Sequence, residues 1–484
     1  MQAMDKLTVS GRYIVDRAGA PVRLRGVNIG GWMNMESFIN GYPGTESGLR
    51  AAFSTCLGPE RAQFFFERWL DHFFTEADVR FLRELGANVI RLPLNYRHFE
   101  ADREPFHYLE PGFARLERAL DWCAQHGLYA ILDLHAAPGW QNGDWHSDNP
   151  HGAALLWSQP HFQARCTALW AEIARRFGGR PEVAGYDLLN EPLSAPDSEK
   201  LWGEMRPDWQ ALNGLYRRAA EAVRQVDPQT ILFLEGDGWG NRFEGLELPE
   251  VDNVALSSHN YNRAGWGPGA YPGLHREGYW DEAYLLELTR RHEGTRLAEK
   301  EGLPLLAGEF GPVFNGAPED RPSRLRGLRD QIQCFEALEM HWTAWTYKDV
   351  GVMGWLNLDP ESPYMQLSGP FEPLRRRFHT DPWMYWLPST APKEKLGEIA
   401  AELCAELPQA GLDEKRLQGA LVRAALGGAV SEALLVPFAR AFQGCSEPEL
   451  DEILESFSLA RCRPNPGVLE TLRFYIDSNN FNAG

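Results

Sequence analysis

Residues 74–94 read FTEADVRFLRELGANVIRLPL, and their punctuation sets the architecture of most of the chain. Thr75 and Asp78 frame a helix start at capping-box spacing, and Gly86 marks the helix end. NVIRLPL then follows as a buried strand. Helix, glycine and buried strand in that order form the returning half of a β/α unit.

The same alternation spreads in both directions. Upstream, KLTVSGRYIVDRAGAPVRLRGVNIGGW (6–32) carries short alternating runs around Ser10-Gly11 and Ala18-Gly19. These predict an N-terminal β-hairpin leading into a first strand over Arg23–Asn28. Downstream, helix 112–126 precedes LYAILDLH and a long loop rich in Trp, Gly and Asn. Helix 160–177 leads to VAGYDLLNEP, and helix 209–226 to TILFLEGDGW. Strand NVALSSHNY precedes another Gly-, Pro- and aromatic-rich loop. Helix 283–301 leads to LPLLAGEFG, and helix 324–339 to HWTAWTYKD.

That makes eight strands separated mostly by helices, compatible with an open doubly wound sheet or a closed barrel. No Gly-rich dinucleotide fingerprint follows the first strand, and eight is the closure number. The expected fold class is α/β, a (β/α)8 TIM barrel with an N-terminal β-hairpin and a C-terminal helical appendage. The barrel is assigned to residues 1–390 and the extension to 391–484.

After DPWMYWLPSTAPKEK the pattern changes, and residues 393–478 read as helices only. Leu396, Ile399, Leu403 and Leu407 hold one helix face, and SEPELDEILESF opens with a Ser446/Glu449 capping box. This appendage carries no chemical motif. It is expected either to pack on the barrel or to make a homo-oligomer contact.

Composition narrows the function. The 484 residues are 44% hydrophobic and 24% charged, as in ordinary globular proteins, with a net charge of −19. Such a charge argues against nucleic acid and against anionic membranes. Seven cysteines, odd in number and without a CxxC pair, point to reduced thiols, a cytoplasmic setting and no zinc site. The start MQAMDKLTVSGRYIV has no signal-peptide pattern, which agrees with that setting unless a signal peptide has been trimmed. No run of about 18 uncharged apolar residues is present, so no membrane span is expected. The 17 tryptophans suit either sugar stacking or core packing.

In a barrel, side chains at the C-terminal strand ends face the mouth. Here those positions hold Asn28 to Glu36, Arg91, His135, Asn190 with Glu191, Glu235, His259 with Tyr261, Glu309 and Trp345. One strand-end His or Glu is usually a solvated or capping residue, but their recurrence on nearly every strand points to a site. Carboxylates after strands four and seven face each other across the mouth, as glycoside hydrolysis requires of an acid and its opposing carboxylate. Arg91 is placed to hold Glu309 ionised, Tyr261 to donate to it, and Asn190 to bind a sugar 2-hydroxyl. Trp345 would floor the subsite. Glu235 is expected to hydrogen-bond near the site, and Asp133 to point to the barrel wall. His135 and His259 lack a third nitrogen or sulfur ligand at metal spacing, so neither a metal nor another cofactor is expected.

The set RLP, DLH, NEP, HNY, GEFG and WTYKD, in that order, resembles glycoside hydrolase family 5 of the retaining (β/α)8 enzymes. The resemblance covers roughly residues 8–350. It implies Glu191 as acid/base and Glu309 as nucleophile. It also implies Arg91, His135, Asn190, His259, Tyr261 and Trp345 as the shell of the first subsite. RGVNIGGWMNMESFI, FFTEADVRFLRELGANVIRLPL and ILDLHAAPGWQNG further resemble the exo-β-1,3-glucanase branch, which implies that Glu36 binds a terminal glucose; Glu36 as a loop cap is the alternative. GWQNGDWHSDN departs from that branch after Gly143. The function expected is an exo-acting retaining β-glycosidase on β-glucosides or short β-glucans. Its alternatives are a β-mannosidase, a glycolipid or other aglycone-glycoside hydrolase, and a catalytically silent carbohydrate-binding protein.

Overall fold

The computed structural model describes residues 4–476 apart from 196–205, 267–268, 315–317 and 382–388. Thr75 and Asp78 form the reciprocal capping box, Glu76–Leu85 is the helix, and Gly86 closes it with φ 103°. In that left-handed conformation a side chain would be strained. The chain then enters a fully buried strand, Val89–Asn95.

Eight parallel strands close into a barrel in sequential order. They are β1 Arg25–Asn28, β2 Val89–Asn95, β3 Tyr129–Ala136 and β4 Val183–Asp187, then β5 Ile231–Glu235, β6 Val254–His259, β7 Leu305–Glu309 and β8 His341–Ala344. The lower interior is an apolar plug that includes Val89, Ile131, Phe233 and Leu306. Leu7 and Ile14 of the N-terminal hairpin (Thr8–Ser10 with Tyr13–Val15) join this plug. Polar side chains inside the barrel therefore concentrate at the opposite, C-terminal rim. Asn28 is paired with Arg91 across β1 and β2, which brings two of them to one level. A register shift between Ser258 and His259 sets His259 opposite Glu309.

Several elements depart from expectation. The predicted helix 283–301 is two helices, Glu282–Arg291 and Glu293–Glu301. His292 breaks them with an extended backbone and accepts from Gly294 N through Nδ1. The segment between β1 and β2 also carries the helices Glu46–Leu57 and Pro59–Phe73, which the sequence reading did not assign. Their buried faces receive the C-terminal extension. Trp69 lies 4.2 Å from Phe457 and Phe53 lies 5.2 Å from Phe442, ring centre to ring centre. Buried Lys348 sits 2.5 Å from Asp78 and donates to the carbonyls of Phe73 and Phe457, joining barrel and extension at one ammonium.

The extension is not purely helical, because Arg463–Pro464 pairs with Leu356–Asn357 as a short strand. Its first helix, Ala391–Glu406, forms as expected. The stripe read from the sequence nevertheless faces outward, with Ile399 51% and Leu403 41% exposed. Ala400 is buried instead. The helical run Glu414–Arg440 includes a π-helical stretch, Val422–Val430. By length and composition alone it is apolar enough to cross a membrane, unlike anything expected from the sequence. Within the fold it is pinned to the barrel near its end. Ser431 Oγ accepts from Gly44 N, and Glu432 accepts from both the amide and the hydroxyl of Thr45.

Candidate active site

Arg91 organises the mouth. It projects from β2 with no exposed surface, and a buried guanidinium is tolerable only when its donors are satisfied and its charge is matched. Nε donates to Asp187 at 2.9 Å, and Nη1 donates to Asn28 at 3.1 Å and Glu309 at 3.0 Å. Nη2 donates to Asn190 and Glu235, each at 3.0 Å, and lies 3.1 Å from Asp133. Burial alone would lower its pKa, but Asp133, Asp187, Glu309 and Glu235 outweigh burial and hold it well above the usual value. Asp187 is the acid that yields, because burial and the Glu235 charge push its pKa well up. Asp133 does not point to the barrel wall as expected. It faces the interior, between Arg91 and His135 Nδ1, which is 2.7 Å away.

Glu191 follows the end of β4, in a backbone turn with φ 46°. Left-handed geometry is costly for a glutamate and persists where surrounding contacts over-determine it. Those contacts are present. Its N–H donates to Glu235 at 2.8 Å, and its carbonyl accepts from Asn142 at 3.0 Å. Two imidazoles bracket the carboxyl, His259 Nδ1 at 2.7 Å from Oε1 and His146 Nε2 at 3.2 Å from Oε2. Burial, resisted by His259 and reinforced by the charges of Glu309 and Glu235, pushes the Glu191 pKa up to about 7. Glu309 ends β7, and besides Arg91 it accepts from Tyr261 at 3.0 Å. One oxygen of each glutamate and a ring nitrogen of His259 all lie within 4.8 Å of one another. Burial would lower the pKa of His259, but Glu235 and Glu309 outweigh it and raise that pKa well above the ordinary value.

His135 closes β3. Burial would lower its pKa, but Asp133 and Glu36 raise it to about 10. Its Nε2 lies 3.4 Å from both Glu36 Oε1 and Asn190 Nδ2, and its ring stacks on Trp345 at 5.2 Å. Trp345 is nearly enclosed, in a cluster with Phe38, Ile39, Val313 and Met353. Tyr261 stacks on Trp266 at 5.3 Å and completes an aromatic wall. Glu36, buried and pushed up in pKa chiefly by that burial, accepts from Trp145 Nε1 at 3.1 Å. All nine residues expected at the site therefore converge on the mouth: Glu36, Arg91, His135, Asn190, Glu191, His259, Tyr261, Glu309 and Trp345.

Sequence reasoning missed two participants and undervalued a third. His146 Nε2 lies 3.2 Å from the Glu191 carboxyl, and burial lowers the pKa of that imidazole to about 4. Asp187 accepts from Arg91 Nε from a position that reads as ordinary strand. Glu235 is more than a nearby acceptor, since it bonds Arg91 and the Glu191 amide and lies 3.0 Å from His259 Nε2. A signal for His146 was present, because it lies where GWQNGDWHSDN leaves the pattern of the resembled branch.

Comparison with known proteins identifies the family. The cellulase (glycosyl hydrolase family 5) model matches residues 15–351. A "Beta-xylosidase" from Phanerodontia chrysosporium is 36% identical over 488 residues, covering 97% of this chain and 98% of that protein. "Endoglucanase C" from Acetivibrio thermocellus is 25% identical, covering 67% of this chain and 90% of that protein. "Probable glucan 1,3-beta-glucosidase A" from Aspergillus niger is 24% identical, covering 69% and 84% respectively.

Proposed function

The chain belongs to glycosyl hydrolase family 5 and is a retaining β-glycoside hydrolase, and we propose that Glu191 and Glu309 carry its double displacement in exo fashion on β-glucosides or short β-glucans. The observation that carries the assignment is the pair itself. Glu191 and Glu309 stand within 4.8 Å at the ends of β4 and β7, and Glu191 has its pKa pushed up to about 7. Retention calls for carboxyl groups about 5–5.5 Å apart, inversion for about 6.5–9.5 Å.

Glu309, aligned by Arg91 and Tyr261, attacks the anomeric carbon as a carboxylate. Glu191 gives its proton to the departing glycosidic oxygen, and a covalent glycosyl-enzyme forms. Water then attacks that carbon from the face the leaving group vacated, Glu191 takes its proton, and Glu309 departs. Asn190, His135 and Glu36 lie where they can bind the hydroxyls of the attacked sugar. Exo action is the reading of the loops at the mouth, whose Trp145 donates to Glu36 and whose Trp266 stacks on Tyr261.

A second reading, β-xyloside hydrolysis, is favoured by the name of the relative that aligns along nearly the whole chain. Glucosides and xylosides share equatorial ring hydroxyls and differ at C5, so one shell could serve both. Aryl β-glucoside, β-xyloside and β-mannoside, a β-glucosyl lipid, and short β-1,3- and β-1,4-oligosaccharides, followed by NMR, discriminate these readings. The β-anomer should appear first; an α-anomer would refute the double displacement, and a rapid viscosity drop on long glucan would refute exo action. We also propose a reducing, cytoplasmic setting, supported by seven cysteines that are all unpaired. Fractionation that recovers the enzyme outside the cell would overturn it.

A further inference from the structure

Two adjoining cavities, about 280 and 350 Å3, flank the loop that leaves Glu191, and Leu193 lines both. The first is bounded on the barrel side by Asp144, Trp145 and His151, and the second by Asp237, Trp239 and Arg242. The helical run Glu414–Arg440 contributes to both, with Arg416 at one cavity and Ala420, Arg423, Ala424 and Gly428 at the other. Trp145 ties this space to the proposed catalytic centre, since it also donates to Glu36.

We propose that this run roofs a subsite for the saccharide leaving group, so that the C-terminal extension reads the part of the substrate beyond the scissile bond. The inference rests on the function proposed above and adds a substrate-binding role for a segment outside the matched family region, residues 15–351. The acids bordering the cavities are already engaged. Asp144 accepts from Trp239, Asp237 from Ser194 and Glu432 from Thr45. The guanidinium groups of Arg416 and Arg423 have no hydrogen-bond or ion-pair partner among the described residues, and Arg416 Nη1 is itself out of solvent. Seven residues apart, these two cations share one side of the helix. Ala420 between them and Ala424 next to Arg423 keep the roof thin. A sugar ring matches that surface, with hydroxyl oxygens to accept from guanidinium and apolar C–H faces to meet alanine and indole. At about 280 Å3 the first cavity is near the lower bound of small-ligand sites, room for a sugar unit or two and not for a polymer chain.

The test compares kcat/KM on an aryl β-glycoside, whose leaving group is no sugar, with kcat/KM on the disaccharide of the same glycone. Arg416→Gln combined with Arg423→Gln, and separately Ala424→Trp, should lower the disaccharide-to-aryl ratio at least fivefold. A ratio within twofold of the parent in both variants overturns the proposal. Tryptophan fluorescence titration with the disaccharide gives a readout independent of turnover, and its Kd should rise at least fivefold in the double arginine variant. Unchanged binding there overturns the roof even if the enzyme is active. A parent that binds the disaccharide but cleaves no glycoside would instead overturn the proposed function.

Discussion

Replacing Glu309 by Gln should lower the pKa of Glu191, and the size of the drop tests the catalytic cycle. Both carboxyl groups are in reach of one another, with oxygens no more than 4.8 Å apart. Two unit charges about 5 Å apart at an effective dielectric constant of about 20 repel by about 3 kcal/mol, equivalent to about two pKa units. Arg91 and His259 shield part of this, so a fall of one to two units from about 7 is the expectation. The second half of a retaining reaction needs the same change. Once Glu309 is esterified to the sugar its charge is gone, and Glu191 must turn from acid to base. A carbon-13 NMR titration of labelled glutamate carboxyls, with Glu191→Gln to assign the signal, measures both values. Glu191 remaining near 7 in Glu309→Gln would show that burial alone sets its pKa, and coupling between the two acids would be refuted. The sign also governs activity, because the first step needs protonated Glu191: kcat/KM should fall as pH rises through about 7.

Glu191→Gln should cost about 10²- to 10⁴-fold on substrates with poor leaving groups, and far less on dinitrophenyl glycosides, which depart unprotonated; equal losses would remove Glu191 from the acid role. Arg91→Ala leaves the carboxyls of Asp133, Asp187, Glu235 and Glu309 without their shared cation, and should destabilise the fold by about 3–5 kcal/mol in urea unfolding. His135 has a folded pKa of about 10 against about 6.5 unfolded, so its contribution is complete below pH about 6.5 and is lost as pH climbs through about 10. Denaturant unfolding between pH 7 and 10 should show that decline, and His135→Gln should flatten it.

The barrel was legible because each strand announces itself twice, by an apolar run and by the polar residue that ends it. His135, Glu191 and Glu309 were therefore singled out by position at strand ends, and Arg91 as a charge inside an apolar strand. The features that were not legible share a cause: their partners are remote in sequence. Asp187 looks like strand filler until Arg91, 96 residues away, supplies the charge that makes it useful. Asp133 was expected at the barrel wall, but it lies two residues before His135, so strand alternation puts both on the inner face, where each meets its partner.

The same lesson applies to the extension. Its stripe of Leu396, Ile399, Leu403 and Leu407 has helical periodicity, and periodicity indicates a face without saying what covers it. Burial fell instead to Phe438, Phe442 and Phe457, whose neighbours Phe53, Phe65 and Trp69 belong to helices inserted between β1 and β2. Those inserted helices and the C-terminal run are thus one packing unit. The run meets that unit and the rim at Gly44, Thr45 and Leu193, so a catalytic centre recognisable from strand ends acquires a wall that strand ends could not reveal. That cavity border is built from two distant parts of the chain, so under the proposed function substrate choice would draw on the extension while bond cleavage stays with the strand ends of the barrel.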